Sequence, residues 1–378
     1  VRIGALVLGS LLLIGCQGQA SSTLPILPDL HTRPQEKAAR VWPVAPPLST
    51  PDGLRPCCAF GYNLQAQALG IPVPFYMLGN VVEADSLGEH HYNDSMLGAV
   101  ANLMGLSSEV DGLLYTRRGG FIDLAHVRDT ADYTLFLFTH IWPRLGLSND
   151  ITLGNELGER RIVLKAFTAP SDPVQRYQLA AALAARLAFQ LAAWHEVAQW
   201  YGYESVPGFS EGVSAFSPED LYSNLLGARL AISVILAGHA SSLENYNLAM
   251  QRILPQALHT LEAVPAVETR FHFDMLDGNW WNSHRRLPDK YLVLFRNYQT
   301  GDNRLPSAVP GEKTPPLRLQ LADNVGGFSL DELGELQIWP GSSMKNLPPP
   351  IRYYTYRDFP ALALHARAVD ARELSETR

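Results

Sequence analysis

Between about residues 57 and 262 the apolar positions recur at three- and four-residue spacing, which predicts a run of helices. "FIDLAHVRDTADYTLFLFTHIW" (121–142) has this spacing, with an apolar second half and Pro143 to end it. "SDPVQRYQLAAALAARLAFQLAAWHEVAQWYGY" (171–203) opens on a Ser or Asp cap, carries Pro173 in its first turn and reaches Gly202 near its end. It is apolar on nearly every face, so it is expected to run through the core rather than over it. A third helix is predicted over 217–238 and a fourth from about 242. β-Branched residues in "RRIVLKAF" (160–167) predict a short strand. After 265 the texture changes: 289–299, 317–323 and 334–340 read as short strands among Gly and Pro turns, and a final helix is expected over 359–375. The predicted class is α+β, mainly α, with a central buried helix within a helical bundle and a small β portion at about 265–345. No internal repeat is present.

The first residues change the picture of compartment. "VRIGALVLGSLLLIGCQG" has one basic residue, an apolar run from Ile3 to Ile14, and a small residue before a cysteine. It reads as a signal peptide over 1–15, too short for a membrane span. Leu13-Ile14-Gly15-Cys16 has the form of a bacterial lipobox, which predicts lipidation of Cys16 and anchorage of the protein to a membrane through that lipid. Gln17 in place of an acidic residue points to the outer membrane, facing the periplasm. Residues 16–56, rich in proline, are expected to be an extended tether, and residues 57–378 a single periplasmic α-rich globular domain. Val41 and Trp42 are unusual for a linker and are expected to touch the domain surface.

Composition adds little: 47% hydrophobic, 18% charged and a net charge of −7 are ordinary for a folded protein. No basic run or stripe points to nucleic acid. Cys57 and Cys58 are adjacent, so a normal disulfide between them is not available; a vicinal disulfide, two buried thiols or a soft metal site remain open.

Candidate chemistry concentrates on "WHEVAQW" (194–200), which has the His-Glu start of the zinc-hydrolase helix motif but Gln199 where the second histidine belongs. A His and a Glu on a buried helix each need a partner, because an unpaired buried charge is too costly. His126 has Asp123 three residues before it, and Asp129 and Thr130 three and four after; Arg128 is placed to pair with Asp132. In "FSPEDLYSN", Ser217, Pro218 and Asp220 fit a capping box, which leaves Glu219, or Glu211 upstream, as a free oxygen ligand. These residues predict a zinc site with His126, His195 and Glu219 as ligands and Glu196 as the general base for amide or ester hydrolysis. The competing expectation is a buried His-Glu-Gln hydrogen-bond network. A third feature, residues 270–291, gathers Trp280, Trp281, His284 and Arg285, a composition suited to stacking on a wall glycan or peptide partner. No G-x-S-x-G elbow is present.

"RPCCAFGYN", "GGFIDLAHVRDTADYT", "WHEVAQWYG", "FSPEDLYSNLLG" and "GNWWNSHRRLPDKYLV", in that order, resemble an uncharacterised family of bacterial lipoproteins catalogued as a domain of unknown function. The resemblance covers most of the chain from about residue 55 and implies a lipoprotein, but it carries no activity. A weaker likeness to zinc metallohydrolases rests on His195 and Glu196 alone.

Overall fold

The computed structural model describes residues 40–51, 55, 59–68, 71–93, 109–205 and 210–376. The expected signal peptide, Cys16, Cys57, Cys58 and the tether up to residue 39 lie outside the described residues. A hairpin of β1 (Leu64–Ala68) and β2 (Ile71–Leu78) is followed by a tight one of β3 (Leu113–Thr116) and β4 (Gly120–Asp123). β4 runs straight into α1 (Leu124–Ile141), and Asp123 Oδ1 caps the helix by accepting from the amides of Ala125 and His126. The helix therefore starts three residues later than periodicity alone indicates, because 120–123 are held in the hairpin.

β5 (Asn149–Glu156) and β6 (Gly158–Leu164) form the next hairpin. α2 (Pro173–Trp200) then crosses the core, capped by Asp172 with Pro173 at its first position. α3 (Asp220–Leu236), α4 (Leu243–Thr260) and α5 (Ala266–Leu276) complete the helical part. The C-terminal part contributes a single turn, α6 (Leu330–Leu333), then β7 (Gly334–Trp339), β8 (Tyr354–Thr355) and α7 (Phe359–Glu376). β7 and β8 join the earlier hairpin in one antiparallel sheet of order β8-β7-β6-β5, so the β portion is a sheet shared between the middle and the end of the chain. The mainly α, α+β architecture expected from the sequence is present.

α1, α2 and α3 pack against one another at the centre, with Leu135, Phe136, Leu137 and Phe138 of α1 essentially inaccessible to solvent. Each such side chain contributes roughly 1.5–3 kcal/mol of burial free energy. One contact fixes how α3 meets α1. A Cβ on Gly227 would sit 2.0 Å from the Val127 carbonyl oxygen, so only glycine lets the two backbones approach this closely. That crossing sets the N-terminus of α3 beside the N-terminus of α1.

Several expectations differ from the structure. Residues 289–299 form no regular strand: a 3-10 turn spans Lys290–Leu292, and the amides of Leu294 and Phe295 both donate to the Trp280 carbonyl. Of 317–323, only Leu319–Gln320 pairs, with Asn303–Arg304. Residues 266–276, which the sequence offered only as an aromatic cluster, form α5. Part of the segment read as tether lies against the domain: the Trp42 indole donates to the Leu236 carbonyl and packs under Gly238, and Ala45 N–H donates to the Ala240 carbonyl. Among the described residues no helix is long and apolar enough to cross a membrane.

Candidate metal centre

Three helix ends converge on His126. Its Nδ1 lies 3.3 Å from Asp123 Oδ2, and its Nε2 lies 3.5 Å from Glu196 Oε1 and 3.7 Å from Asp220 Oδ1. Asp123, His126 and Asp220 are all buried, and one ligand atom from each fits within 4.8 Å of the others. Two of these residues have double duty. Asp123 uses Oδ1 to cap α1, while Asp220 uses Oδ2 to accept the Ser217 amide at 3.1 Å; each leaves its second oxygen turned toward the histidine. Cross-links hold the two helix starts in register: Asp123 N–H donates to Ser223 Oγ, which in turn donates to the Glu219 carbonyl.

Glu196 reaches the same place from α2. Its Oε2 accepts the Phe216 amide at 2.7 Å, from a residue held at φ 57, a conformation rare for a side chain of this size. Glu219 stands at the start of α3, 2% exposed, and neither of its carboxyl oxygens has a hydrogen-bond partner in another residue. Asp123 Oδ2, Glu196 Oε1 and Asp220 Oδ1 likewise lack a well-formed hydrogen bond. Three carboxyl groups thus lie against one imidazole, with Glu219 coupled to it by charge, an arrangement that costs several kcal/mol per unpaired charge unless protons or a cation neutralise it.

The titration behaviour follows that crowding. Burial, and after it the charge of Asp123, pushes the Glu219 carboxyl well above its ordinary value. Burial and then Glu196 do the same to Asp220. For Glu196, burial acts upward but is outweighed by hydrogen bonding and charge from His126, with His195 and the Phe216 amide adding to it, so this group is held below its usual range and stays ionised.

His195 is turned away from this set. Its Nδ1 lies 3.5 Å from Glu156 Oε1, and Glu156 in turn pairs with Arg160 at 2.6 Å. Burial lowers the His195 pKa, but Glu156 more than offsets it, so the imidazole is held charged to higher pH than a free one. Gln199, the departure from the zinc-hydrolase pattern, donates to Glu211 Oε2 at 3.1 Å. The expected ligand trio of His126, His195 and Glu219 is therefore not the compact group the structure forms. Asp123 and Asp220 take the places beside His126. The sequence hid them because each also satisfies a helix cap, and a cap is a sufficient reason for an Asp at that position. His126 and His195 nevertheless line one small cavity of ≈ 40 Å³, together with Thr130, Tyr133, Glu156 and Asn224, which is room for about one water molecule.

Next to the cluster, one turn further along α1, lies a second charged group of different character. Arg55 pairs with Glu109 at 2.6 Å, Asp129 at 2.7 Å and Asp132 at 3.0 Å. Arg128 contacts Glu109 and Asp111, and His90 bridges Glu109 and Asp132. The Arg128–Asp132 pair expected from helix spacing does not form, since partners from outside the helix take both residues. Arg55 itself belongs to the stretch read as tether.

Trp280 and Trp281 are not binding platforms. They are 7% and 3% exposed and build a second hydrophobic cluster with Phe60, Phe121 and Phe273. The Trp281 indole donates to the Phe273 carbonyl, and Trp280 stacks on Phe295. His284 is exposed, while Arg285 is tied to Asp289 at 2.7 Å.

Fold and site together define a mainly α, α+β protein with a buried carboxylate–histidine group at the meeting of three helix ends. Residues 45–310 match the family model described as "Protein of unknown function (DUF4056)", which covers more than half of the chain, and the protein belongs to that family. No curated protein matches it, and no solved structure does.

Proposed function

We propose that Asp123, His126 and Asp220 hold a divalent metal ion, with zinc the leading candidate, and that the site serves hydrolysis of an amide or ester bond in the cell envelope. The observation that carries this reading is the set of buried carboxyl oxygens around His126 that have no well-formed hydrogen bond. Carboxylates with one imidazole suit Zn²⁺ or Mn²⁺, and a bound cation would add to the charge that His126, His195 and the more distant Arg296 and Arg304 supply. Such an ion lowers the pKa of a water molecule and polarises a carbonyl.

The chain's own residues then have separable roles. Glu196, ionised and fixed by the Phe216 amide, is the general base. Glu219 adds a further carboxylate beside Asp123 that can release its proton when a cation arrives. His195, held in its charged form by Glu156, lines the cavity beside His126 and offers a proton or a hydrogen bond there. In this reading the protein is lipid-anchored at Cys16 on the periplasmic face of the outer membrane; incorporation of labelled palmitate that is lost in Cys16→Ser tests the anchor.

The deciding experiment is metal content by plasma mass spectrometry on untagged protein equilibrated with zinc or manganese. Near-stoichiometric metal is expected in the wild type and in His195→Ala, with loss in Asp220→Asn and His126→Ala. Equal, near-zero metal in all four would leave the cluster as a proton-sharing network and end the hydrolase reading. Where metal binds, Glu196→Gln should keep it while losing hydrolysis.

A further inference from the structure

Residues 294–307 and the end of the C-terminal helix line an open cavity of about 850 Å³, a size suited to a drug-sized ligand. Phe216 touches both this cavity and the carboxylate cluster: its N–H donates to Glu196, and its carbonyl accepts from the Asn297 amide on the cavity wall. The charged lining is lopsided, with Arg296, Arg304, Arg318 and Arg367 against the single carboxylate of Asp370.

These arginines are not equivalent. Arg296 is spent on structure, donating to the carbonyls of Ala215, Val213 and Lys290. Asp370 is likewise occupied, by Lys290, Trp200 and Tyr298. Arg304 is different. It is 3% exposed, its Nη1 donates to the Gln299 carbonyl, its Nε has no hydrogen-bond partner, and among the described residues it has no ion-pair carboxylate. Burial pushes its pKa down to about 10, and the opposing charges of Tyr356, Glu196 and Asp220 do not offset it, as for a guanidinium out of water with no carboxylate in ion-pair contact. Arg318 is half-buried and bonded only to the neutral Asn303 side chain, and Arg367 is exposed at the mouth. The rest of the wall mixes neutral polar side chains such as Asn297, Gln299 and Asn303 with apolar ones, of which Phe295, Leu305 and Leu364 are 38%, 37% and 59% exposed.

We propose that this cavity binds a single-chain anionic amphiphile, with its carboxylate or phosphate head at Arg304, Arg318 and Arg367 and its alkyl chain along Phe295, Leu305 and Leu364. A guanidinium buried without a carboxylate is matched by an oxyanion that can accept two parallel N–H bonds. A polar head alone would leave the apolar side chains in water, and a neutral chain alone would leave Arg304 uncompensated. The charge and the apolar surface therefore call for one ligand that carries both.

Isothermal titration of the full chain with dodecanoate, dodecyl phosphate, dodecanol and inorganic phosphate tests this. Saturable one-to-one binding of dodecanoate or dodecyl phosphate is expected, at least tenfold tighter than dodecanol or phosphate, and whichever head is preferred identifies the source of the anion. Arg304→Met should weaken it at least tenfold. Because that residue is buried, the double variant Arg318→Gln/Arg367→Gln, whose side chains reach solvent, serves as the check if Arg304→Met does not fold; it should weaken binding several-fold with its thermal transition unchanged. Three results would overturn the proposal: no saturable binding of either anionic amphiphile, dodecanol binding as tightly as dodecanoate, or inorganic phosphate alone matching their affinity. Unaltered affinity in the double variant, or in a folded Arg304→Met protein, would also exclude the arginines as the head site.

Discussion

α1 carries two buried charged groups a turn apart, and they solve the problem of burial in opposite ways. Around Arg55, cations and carboxylates are interleaved: Arg55, Arg128 and His90 face Glu109, Asp111, Asp129 and Asp132 at hydrogen-bonding or ion-pair distance. Around His126, three carboxyl groups share one imidazole at 3.3–3.7 Å without a well-formed hydrogen bond, and a fourth, Glu219, is coupled to it by charge. The first group supplies its own counter-charges, although His90 Nδ1, Arg128 Nε and Asp111 Oδ2 make no well-formed hydrogen bond, and it works as a clasp that ties Arg55, His90, Glu109 and Asp111 to the bundle. The second has more carboxyl groups than cations in contact with them, and Glu219 and Asp220 are pushed toward their protonated forms. Burial and charge alone do not mark a functional site; the balance of donors and acceptors within it does.

The largest effect expected from this contrast is in the clasp. Arg55→Met removes the cation shared by Glu109, Asp129 and Asp132, and leaving buried carboxylates unpaired costs about 3–5 kcal/mol. Chemical denaturation should show that loss, with metal binding by any protein that remains folded unimpaired. A cost below about 1 kcal/mol, the range of exposed pairs, would mean that water reaches the clasp and that its charges are screened rather than buried.

The carboxylate cluster should respond oppositely. Asp220→Asn replaces a carboxyl that already holds its proton with a neutral amide, so the metal-free protein should be no less stable than the wild type. Metal should stabilise the wild type by about 2.7 kcal/mol at a hundredfold excess over its dissociation constant, and the variant not at all. Glu219 and Asp220 have raised pKa values and hold protons that a cation must displace, so metal affinity should rise with pH. Thermal melts with and without zinc at several pH values read both effects. Stabilisation that does not depend on pH would mean that these two carboxyls take no part.

The carboxylate cluster depends on the α1–α3 crossing, and Gly227→Ala tests it. The added methyl would meet the Val127 carbonyl, and overpacking of this kind costs about 1–3 kcal/mol. The separation of helix starts should weaken metal binding more than it disturbs the clasp, which draws its partners from outside α3. Equal metal affinity in wild type and variant would show that the cluster does not need this crossing.

The sequence exposed the long elements and one member of each site residue pair, for reasons that differ by residue. α2 was plain from its length, its cap and Pro173, and α1 from its spacing, because long periodic segments outvote local noise. β5 was concealed because its outward positions, Asn149, Asp150 and Asn155 among them, are turn-forming types that look like loop until β6 pairs with them. The 289–299 segment alternates like a strand, yet its amides turn to the Trp280 carbonyl and no neighbour completes a ladder. At the site, His126 and Glu196 stood out as polar groups on apolar helices. Asp123 and Asp220 did not, since a helix start already accounts for an Asp, and only geometry shows that each spends one oxygen on the cap and keeps the other. His195 was prominent for its motif, but side-chain direction on α2 sends it to Glu156.

The smallest expected effect separates the edge of the clasp from its middle. Burial pushes the Asp129 carboxyl up to about 7 even though Arg55 draws it down, whereas Asp132, between Arg55, His90 and Tyr246, is held below its ordinary value. The two should titrate with opposite consequences. A carboxyl whose folded pKa lies above its unfolded value binds its proton more tightly in the folded state, so Asp129 takes stability away as pH rises from about 4 toward 7. Asp132, with a lowered pKa, contributes stability that is present above its unfolded value and is lost as pH falls through the folded one. Asp129→Asn should therefore flatten the decline in unfolding free energy between pH 5 and 7 by roughly 0.5–1 kcal/mol per pH unit, within the limit of about 1.4 that one proton can supply. The remaining loss of stability in acid, below about pH 4, should persist in that variant because Asp132 is intact. If the slope between pH 5 and 7 is unchanged, Asp129 is already ionised there, and the clasp is charge-balanced to its edge rather than only at its centre.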